Sequence, residues 1–147
     1  MTDAKSNYLE GGLAALIFNA TSIANLAQDS SGGGAANLYV ALHTADPTDT
    51  PSSGQGTSEA TYTSYARVAV ERTSSGWTVT TAGVASPSTN ITFPQATGGS
   101  ETITHASISL SSVNATEILY YGTVSPNISV SNGVTPRLTT AMTISET

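Results

Sequence analysis

Hydrophobic and polar residues alternate in two stretches of the chain. Across residues 38–43, leucine and valine alternate with tyrosine, alanine and histidine, and across residues 67–71 two valines alternate with arginine, alanine and glutamate. A period of two is typical of a strand with one apolar and one polar face. Proline has no N–H for a strand ladder and restricts the residue before it, so Pro47 ends the first stretch. Both stretches predict strands of a half-buried sheet.

Shorter apolar runs, separated by turn residues, predict further strands along the rest of the chain. The runs lie at residues 77–80, 83–85, 91–93, 102–110, 117–124, 128–130 and 137–144. Short strands at close spacing are typical of two packed antiparallel sheets. We therefore expect a mainly β fold, an antiparallel β-sandwich or jelly roll, with one N-terminal α-helix.

One stretch, residues 6–28, has helical periodicity. Ser6 or Asp3 can cap its start, whereas Gly11 and Gly12 each weaken it by about 0.5–1 kcal/mol relative to alanine. Such a helix is marginal alone and must pack on its own sheet or on a neighbouring copy. Its apolar residues recur at steps of three and four and form one stripe: Leu9, Leu13, Leu16, Ile17, Ala20, Ile23, Ala24 and Ala27.

Composition shifts divide the chain into three parts. Residues 1–29 are an N-terminal helical arm, residues 30–37 a Gly-rich linker, and residues 38–147 the β-sandwich domain. The turn-rich segment 46–58 is too long for a simple hairpin, and we expect it to be an exposed loop.

Charge and composition exclude several classes of function. The 147 residues carry a formal net charge of −6 and only four cations, so binding to nucleic acid or to an anionic membrane is not expected. There is no cysteine for a disulfide or a thiolate site. No apolar run approaches the roughly 20 residues of a membrane span. The first residues lack the pattern of a secretory signal, so we expect synthesis in the host cytoplasm.

Candidate catalytic and metal-binding residues are few. His43, His105 and Asp46 could supply imidazole and carboxylate ligands if their strands pair. We expect instead that each histidine bonds to loop backbone or lies at a hydrated sheet edge, and that Asp46 forms an Asx-type turn. A hydrolase needs an activated nucleophile or a carboxylate pair, and the residue spacing suggests neither. We expect no enzyme, no metal and no cofactor.

Aromatic residues and the helix supply candidates for an interface. Tyr120 and Tyr121 point to opposite faces of a strand, so one ring enters the core and the other faces outward. Trp77 is expected in the core beside Val79. Exposed tyrosines are common interface anchors. The interface candidates are Leu9, Leu13, Leu16, Ile17, Tyr39, Tyr65 and Tyr121.

A set of motifs in order along the chain resembles a known family. The motifs are Ser6–Glu10, LYVALHTADP at 38–47, YARV at 65–68, ITFP at 91–94, TGGS at 97–100 with ITH at 103–105, LYYG at 119–122 and NGVTP at 132–136. Together they resemble a widespread family of small tailed-bacteriophage virion proteins, variously described as head-decoration or tail-fibre-like proteins. The resemblance implies a structural protein of the virion and no catalysis.

Two functions follow from this resemblance. We expect a capsid decoration, or cement, protein that binds the major capsid protein on the head exterior as a homo-oligomer, with a trimer suiting capsid symmetry. The helical arm, the scarcity of charge and the acidic balance favour close contact outside the DNA-filled lumen. The alternative is a tail-fibre or tail-tip module that binds host-surface glycan through the loops 46–58 and 95–100 and exposed tyrosines.

Overall fold

Antiparallel sheets form most of the structure, as the alternating pattern predicts. The computed structural model describes residues 5–23, 26, 35–48, 54–113 and 118–145. Its mainly β architecture with one N-terminal helix confirms the predicted fold class and is consistent with a β-sandwich. In chain order, the elements are α1 (Asn7–Asn19), β1 (Asn37–His43), β2 (Val68–Glu71), β3 (Trp77–Val79), β4 (Val84–Pro87), β5 (Ile91–Thr92), β6 (Ser100–Ser109), β7 (Ile118–Ser131), β8 (Arg137–Leu138) and β9 (Ile144–Ser145).

Helix α1 begins where the sequence predicts and ends earlier. Ser6 is the N-cap, and its hydroxyl accepts the N–H of Leu9 at 3.3 Å. Ala20 takes a left-handed conformation with φ 54° and ends the helix. The predicted continuation is therefore wrong for residues 20–23 and 26, and residues 24, 25, 27 and 28 lie outside the described part.

Ile23 explains both the early end of α1 and the glycine at position 12. The Ile23 side chain is buried after the chain turns back, and a Cβ atom added at Gly12 would lie 3.3 Å from it. Gly12 thus leaves room for Ile23 to pack on the helix. The helix also joins the sheet, because the N–H of Ser6 donates to the carbonyl of Leu119 at 3.0 Å.

A four-stranded sheet of order β2-β1-β6-β7 is the main layer. Its central pair, β1 and β6, places Val40 opposite Ile108 and Leu42 opposite Ala106. These four side chains share one face and are buried in the hydrophobic core. We call this face the inner face of the sheet, and the opposite one the outer face.

Strand β7 joins two predicted strands into one of 14 residues. It pairs with nearly the whole of β6, and two register shifts absorb the difference in length. The Ser125–Pro126 peptide bond within it is cis. Because β7 lies at the edge of its sheet, the missing N–H of Pro126 does not interrupt a central ladder. The sequence pattern predicted two separate strands here, at residues 117–124 and 128–130.

A three-stranded sheet (β3-β4-β9) and the pair β5-β8 close the other side of the core. Trp77 is buried there as predicted, whereas Val79 is exposed although it follows on the same face of β3. The expectation that Val79 packs in the core is wrong, because the sandwich opens at this end. The main core cluster comprises Val40, Leu42, Ala60, Tyr62, Trp77, Ile91, Phe93, Ala96, Ile103, Ala106, Ile108, Val130, Leu138 and Ile144.

The segment expected to be an exposed loop is partly folded against the sheet. Asp46 forms the predicted Asx-type turn, in which its carboxylate accepts the N–H of Thr48 at 2.8 Å. Gln55, however, is fully buried, and Ala60 donates its N–H to the carbonyl of Leu42. The expectation of exposure is therefore wrong for residues 47, 54 and 55, while residues 49–53 lie outside the described part.

The turn between β2 and β3 generates a prediction about Gly76. A Cβ atom at this position would lie 2.0 Å from the carbonyl oxygen of Glu71, which is backbone and cannot rotate away. We expect Gly76→Ala to lower the free energy of unfolding by at least about 1–3 kcal/mol through this overlap. Gly56, which has nothing within 4 Å of its added Cβ, is the matched control. Gly56→Ala should be neutral or stabilising by about 0.4–1 kcal/mol. Urea unfolding of both variants checks this, and equal stabilities would contradict it.

Candidate functional site

Polar side chains are buried on the outer face of the four-stranded sheet, beneath residues 54–59. The alternation that points Val40 and Leu42 inward points His43 outward from β1, and it does the same for Ser107 and Ser109 on β6. All three are nonetheless completely buried, together with Gln55 from the covering segment. We call these four residues the His43 cluster. Buried polar groups require hydrogen-bond partners, and the cluster supplies them.

Both ring nitrogens of His43 are bonded. Nδ1 lies 2.8 Å from the carbonyl oxygen of Thr57, and Nε2 lies 2.7 Å from Oγ of Ser107. Because a carbonyl only accepts, Nδ1 carries the proton and Nε2 accepts from the Ser107 hydroxyl. The predicted bond between this histidine and loop backbone is confirmed. Burial lowers the pKa of His43 below its ordinary 6.5, and the nearby charges of Glu59, His105 and Arg67 have smaller effects.

The three residues weighed as metal ligands do not converge. His105 lies opposite His43 in the register, but its Nδ1 is 2.8 Å from Oγ1 of Thr104. Asp46 is exposed and engaged in its own turn. Within the described residues, no group of three or more histidine, aspartate or glutamate side chains could hold a metal ion.

The Ser107–His43 pair has the separation of a nucleophile and its base. Both side chains are 0% exposed, so a substrate cannot reach the hydroxyl in this arrangement. The group that bonds the other ring nitrogen of His43 is the Thr57 carbonyl. A catalytic triad has a carboxylate there, which stabilises the imidazolium. The pair therefore fixes the covering segment to β6.

Gln55 and Ser109 close the cluster on its other side. The amide nitrogen of Gln55 donates to the carbonyl of Tyr39 at 2.9 Å, and its amide oxygen accepts from Ser109 at 2.6 Å. Both ends of the side chain are thus bonded to the central strands. Nothing in the local sequence marks Gln55 as buried, because it stands among small polar residues.

A second set of polar contacts joins the end of the covering segment, at Glu59, to the residues that precede β2. Arg67 binds Glu59 through two parallel bonds, Nε to Oε1 at 2.7 Å and NH2 to Oε2 at 2.8 Å. The hydroxyl of Tyr65 donates to the same carboxylate at 3.0 Å and accepts the N–H of Leu42 at 3.0 Å. The bond to Glu59 raises the pKa of Arg67, and burial raises the pKa of Tyr65. We call Glu59, Tyr65 and Arg67 the Glu59 lock.

The tyrosines proposed for an interface occupy different places. Tyr65 packs against the core, where its ring stacks on Phe93 at 6.4 Å between centroids and meets Tyr62 edge-on at 5.3 Å. Tyr39 and Tyr121 are half-buried and share the outer face of the sheet. The structure therefore separates Tyr65 from the other two.

The apolar stripe of α1 is divided between the sheet and the surface. Leu9 is buried where the helix contacts β7, and Leu13 is half-buried. Leu16 and Ile17 are exposed near the end of the helix, and so is Phe18, which the periodic stripe omits. Sequence reasoning missed Phe18 because it lies off the stripe. Its position beside Ile17 in a segment without charge was the available signal.

An apolar groove lies where the two larger sheets separate. It has a volume of about 660 Å³. We call it the sandwich-end groove. Trp77 is one of its lining residues. The indole Nε1–H of Trp77 is a buried donor without a partner in the described part of the chain. The lining residues are Leu38, Arg72, Thr73, Ser74, Trp77, Val79, Gly83, Ala85, Ile108, Tyr120 and Ile144.

Comparison with known families shows which family the chain belongs to. Residues 4–144 match the model of the family described as podophage GP4 fiber I protein gp80. The chain belongs to this family. Membership confirms the expected phage virion protein and with it a structural role in the particle. Comparison with curated proteins found no match. Among the described residues of this member of the fiber I family, no helix is long and apolar enough to cross a bilayer.

The Glu59 lock generates a prediction about two tyrosine hydroxyls. Tyr65→Phe removes the acceptor of the Leu42 N–H and should lower the free energy of unfolding by about 1–3 kcal/mol, since a buried donor is left unpaired. Tyr62→Phe is the control, because its hydroxyl only donates, to the carbonyl of the half-buried residue Pro94 at 3.0 Å, so its loss leaves no N–H group unpaired. It should cost about 0.5–1.5 kcal/mol. Denaturant unfolding compares them, and an equal or smaller loss for Tyr65→Phe would count against the lock.

The His43 cluster generates a prediction about pH. Because the pKa of His43 is lowered in the folded chain, the unfolded chain binds a proton at a pH where the folded chain does not. The stability that neutral His43 contributes is therefore complete above about pH 6.5 and declines as the pH falls below that value.

Unfolding free energies measured between pH 7.5 and 5.5, values chosen about the ordinary histidine pKa, test this. We expect the decline to be smaller in His43→Gln, which keeps a donor and an acceptor, and to persist in His105→Gln. An imidazole NMR titration should place the His43 midpoint below 6.5. A midpoint above that value, or the same decline in His43→Gln, would show that the cluster does not act this way.

Proposed function

We propose that this protein is a non-enzymatic structural subunit of a podophage fibre. The observation that carries the proposal is the family match, which runs from residue 4 to residue 144, includes α1 and ends at the first residue of β9. The match thus covers the helix and both larger sheets. The fibre role of the family is what we transfer to this chain.

The physical character of the domain supports a mechanical role. The central strands are covered on both faces, by the apolar core inside and by residues 54–59 outside. The His43 cluster and the Glu59 lock tie the covering segment to the sheet with hydrogen bonds at both of its ends. A domain closed in this way opens only at a high free-energy cost, which suits a subunit exposed to shear on a particle surface.

The polar groups of the domain support a role without catalysis. Ser107 and His43 are enclosed, and the carboxylate of Glu59 is engaged by Arg67 and Tyr65. The carboxylate of Glu101 accepts the backbone N–H groups of Thr61 and Tyr62 at 3.1–3.2 Å. The groups with catalytic potential are thus used to hold loops.

The fibre role takes precedence over the decoration role expected from the sequence. The family description names a fibre protein, which favours the fibre alternative over a cement protein on the major capsid protein. Glycan binding by exposed tyrosines gains no support from the structure, because Tyr65 belongs to the core and Gln95 of the 95–100 loop donates to the carbonyl of Gly133 at 2.9 Å. We retain homo-oligomeric assembly in the virion as part of the proposal.

Phage particles in which the gene is disrupted test this function. We expect electron microscopy to show particles that lack one set of fibres, while the temperature at which they release DNA stays that of wild type. Complementation with the wild-type gene should restore the fibres, and complementation with Gly56→Ala should do so equally. Particles with complete fibres that release DNA at a lower temperature would favour the decoration role.

A further inference from the structure

The C-terminal end of α1 is an apolar protrusion. Ile17 is 71% exposed and Phe18 is 83% exposed, which makes Phe18 the most exposed large hydrophobic residue in the part of the chain that the structure describes. Residues 11–20 contain no charged side chain. Adjacent exposed hydrophobic side chains of this size are typical of a surface that meets a partner.

The same chain carries an apolar concavity of suitable size. The sandwich-end groove holds about 660 Å³, within the range of about 300–1,000 Å³ for pockets that enclose drug-sized ligands. Trp77, Ile108 and Ile144 are buried residues of its wall, and Val79 remains 68% exposed. Because Phe18 is itself exposed, it does not fill the groove of its own chain.

We propose that the end of α1 of one copy packs into the sandwich-end groove of a second copy, with Phe18 as the anchor. Every copy carries both surfaces, so copies can join without a further component. A contact between two different surfaces repeats from copy to copy and yields a ring or an open filament. The inference rests on the proposed fibre function for its biological setting, whereas the contact itself is a property of the isolated chain.

Charge favours this pairing over contact between two helices. The last turn of α1 contains no basic residue, so the negative pole of the helix is not compensated within it. Arg72 lines the groove, where its guanidinium donates to the backbone carbonyls of Leu26 at 3.1 Å and Ala35 at 3.3 Å and carries a positive charge. Two α1 ends facing each other would place their negative poles together, whereas the groove meets the pole with a cation.

Cross-linking between single-cysteine variants tests the contact directly, because the chain has no cysteine of its own. Asn19→Cys places a thiol beside Phe18, and Ser74→Cys places one in the groove lining with almost no change of shape. With a short bis-maleimide, we expect a covalent dimer when the two purified variants are mixed and at least fivefold less when either is treated alone. Ser112→Cys, exposed outside the groove, should give no dimer above background with either partner.

Sedimentation velocity of the purified chain gives an independent measurement. We expect the wild-type mass to rise with concentration and Phe18→Asp to stay monomeric. Val113→Asp is the matched control, since Val113 is 65% exposed but does not line the groove, and it should associate like wild type. Circular dichroism should show the same strand signal in all three proteins, because both substituted side chains are exposed.

Three outcomes would overturn the inference. The first is cross-linking of Asn19→Cys alone, which would indicate contact between helices. The second is a mixture that gives no more dimer than the Ser112→Cys control. The third is a wild-type chain that stays monomeric, which would assign the α1 end to a different virion protein. None of these bears on whether disrupted particles lose their fibres, so this inference and the proposed function can fail separately.

Discussion

The burial of β1 and β6 on both faces is the constraint on which the rest of the structure depends. A strand that is covered on one face only can expose its polar side chains to water on the other face. The alternation in residues 38–43 predicts such a half-buried strand. Here the outer face is covered as well, so His43, Ser107 and Ser109 must find partners inside the protein. Thr57 and Gln55 supply those partners, and the path of residues 54–59 follows from this need.

The Glu59 lock extends the same constraint to the edge of the sheet. Strand β2 pairs with β1 only as far as Val40, so the backbone groups of Leu42 need other partners. Its carbonyl accepts from Ala60, and its N–H donates to the hydroxyl of Tyr65. Arg67 then neutralises the carboxylate of Glu59 that holds Tyr65 in place. A charged pair that lies eight positions apart in the sequence, with Arg67 in a predicted strand, thus completes the ladder of a central strand.

The two ends of the sandwich differ, and the proposed assembly depends on this difference. At one end Phe93, Tyr62 and Tyr65 pack their rings together and close the core. At the other end Trp77 and Val79 border a groove. The end of α1 leaves Phe18 in solvent. A family of fibre proteins needs stable subunits and surfaces that join them. The closed end meets the first need, and the groove and the exposed end of α1 are the surfaces that we propose for the second.

Local patterns in the sequence determined the elements whose cause is local. Alternation predicted β1 and β2, Ser6 was one of two candidate caps for the start of α1, and Asp46 marked a turn, because each depends on a few neighbouring residues. Tertiary structure decided the rest. Ile23 packs on Gly12 after the helix has ended, Gln55 is buried by the outer face, and β7 continues through Pro126 because it is an edge strand. A pattern reports which face of an element is apolar, whereas the residue that covers that face comes from far along the chain and leaves no periodic signal.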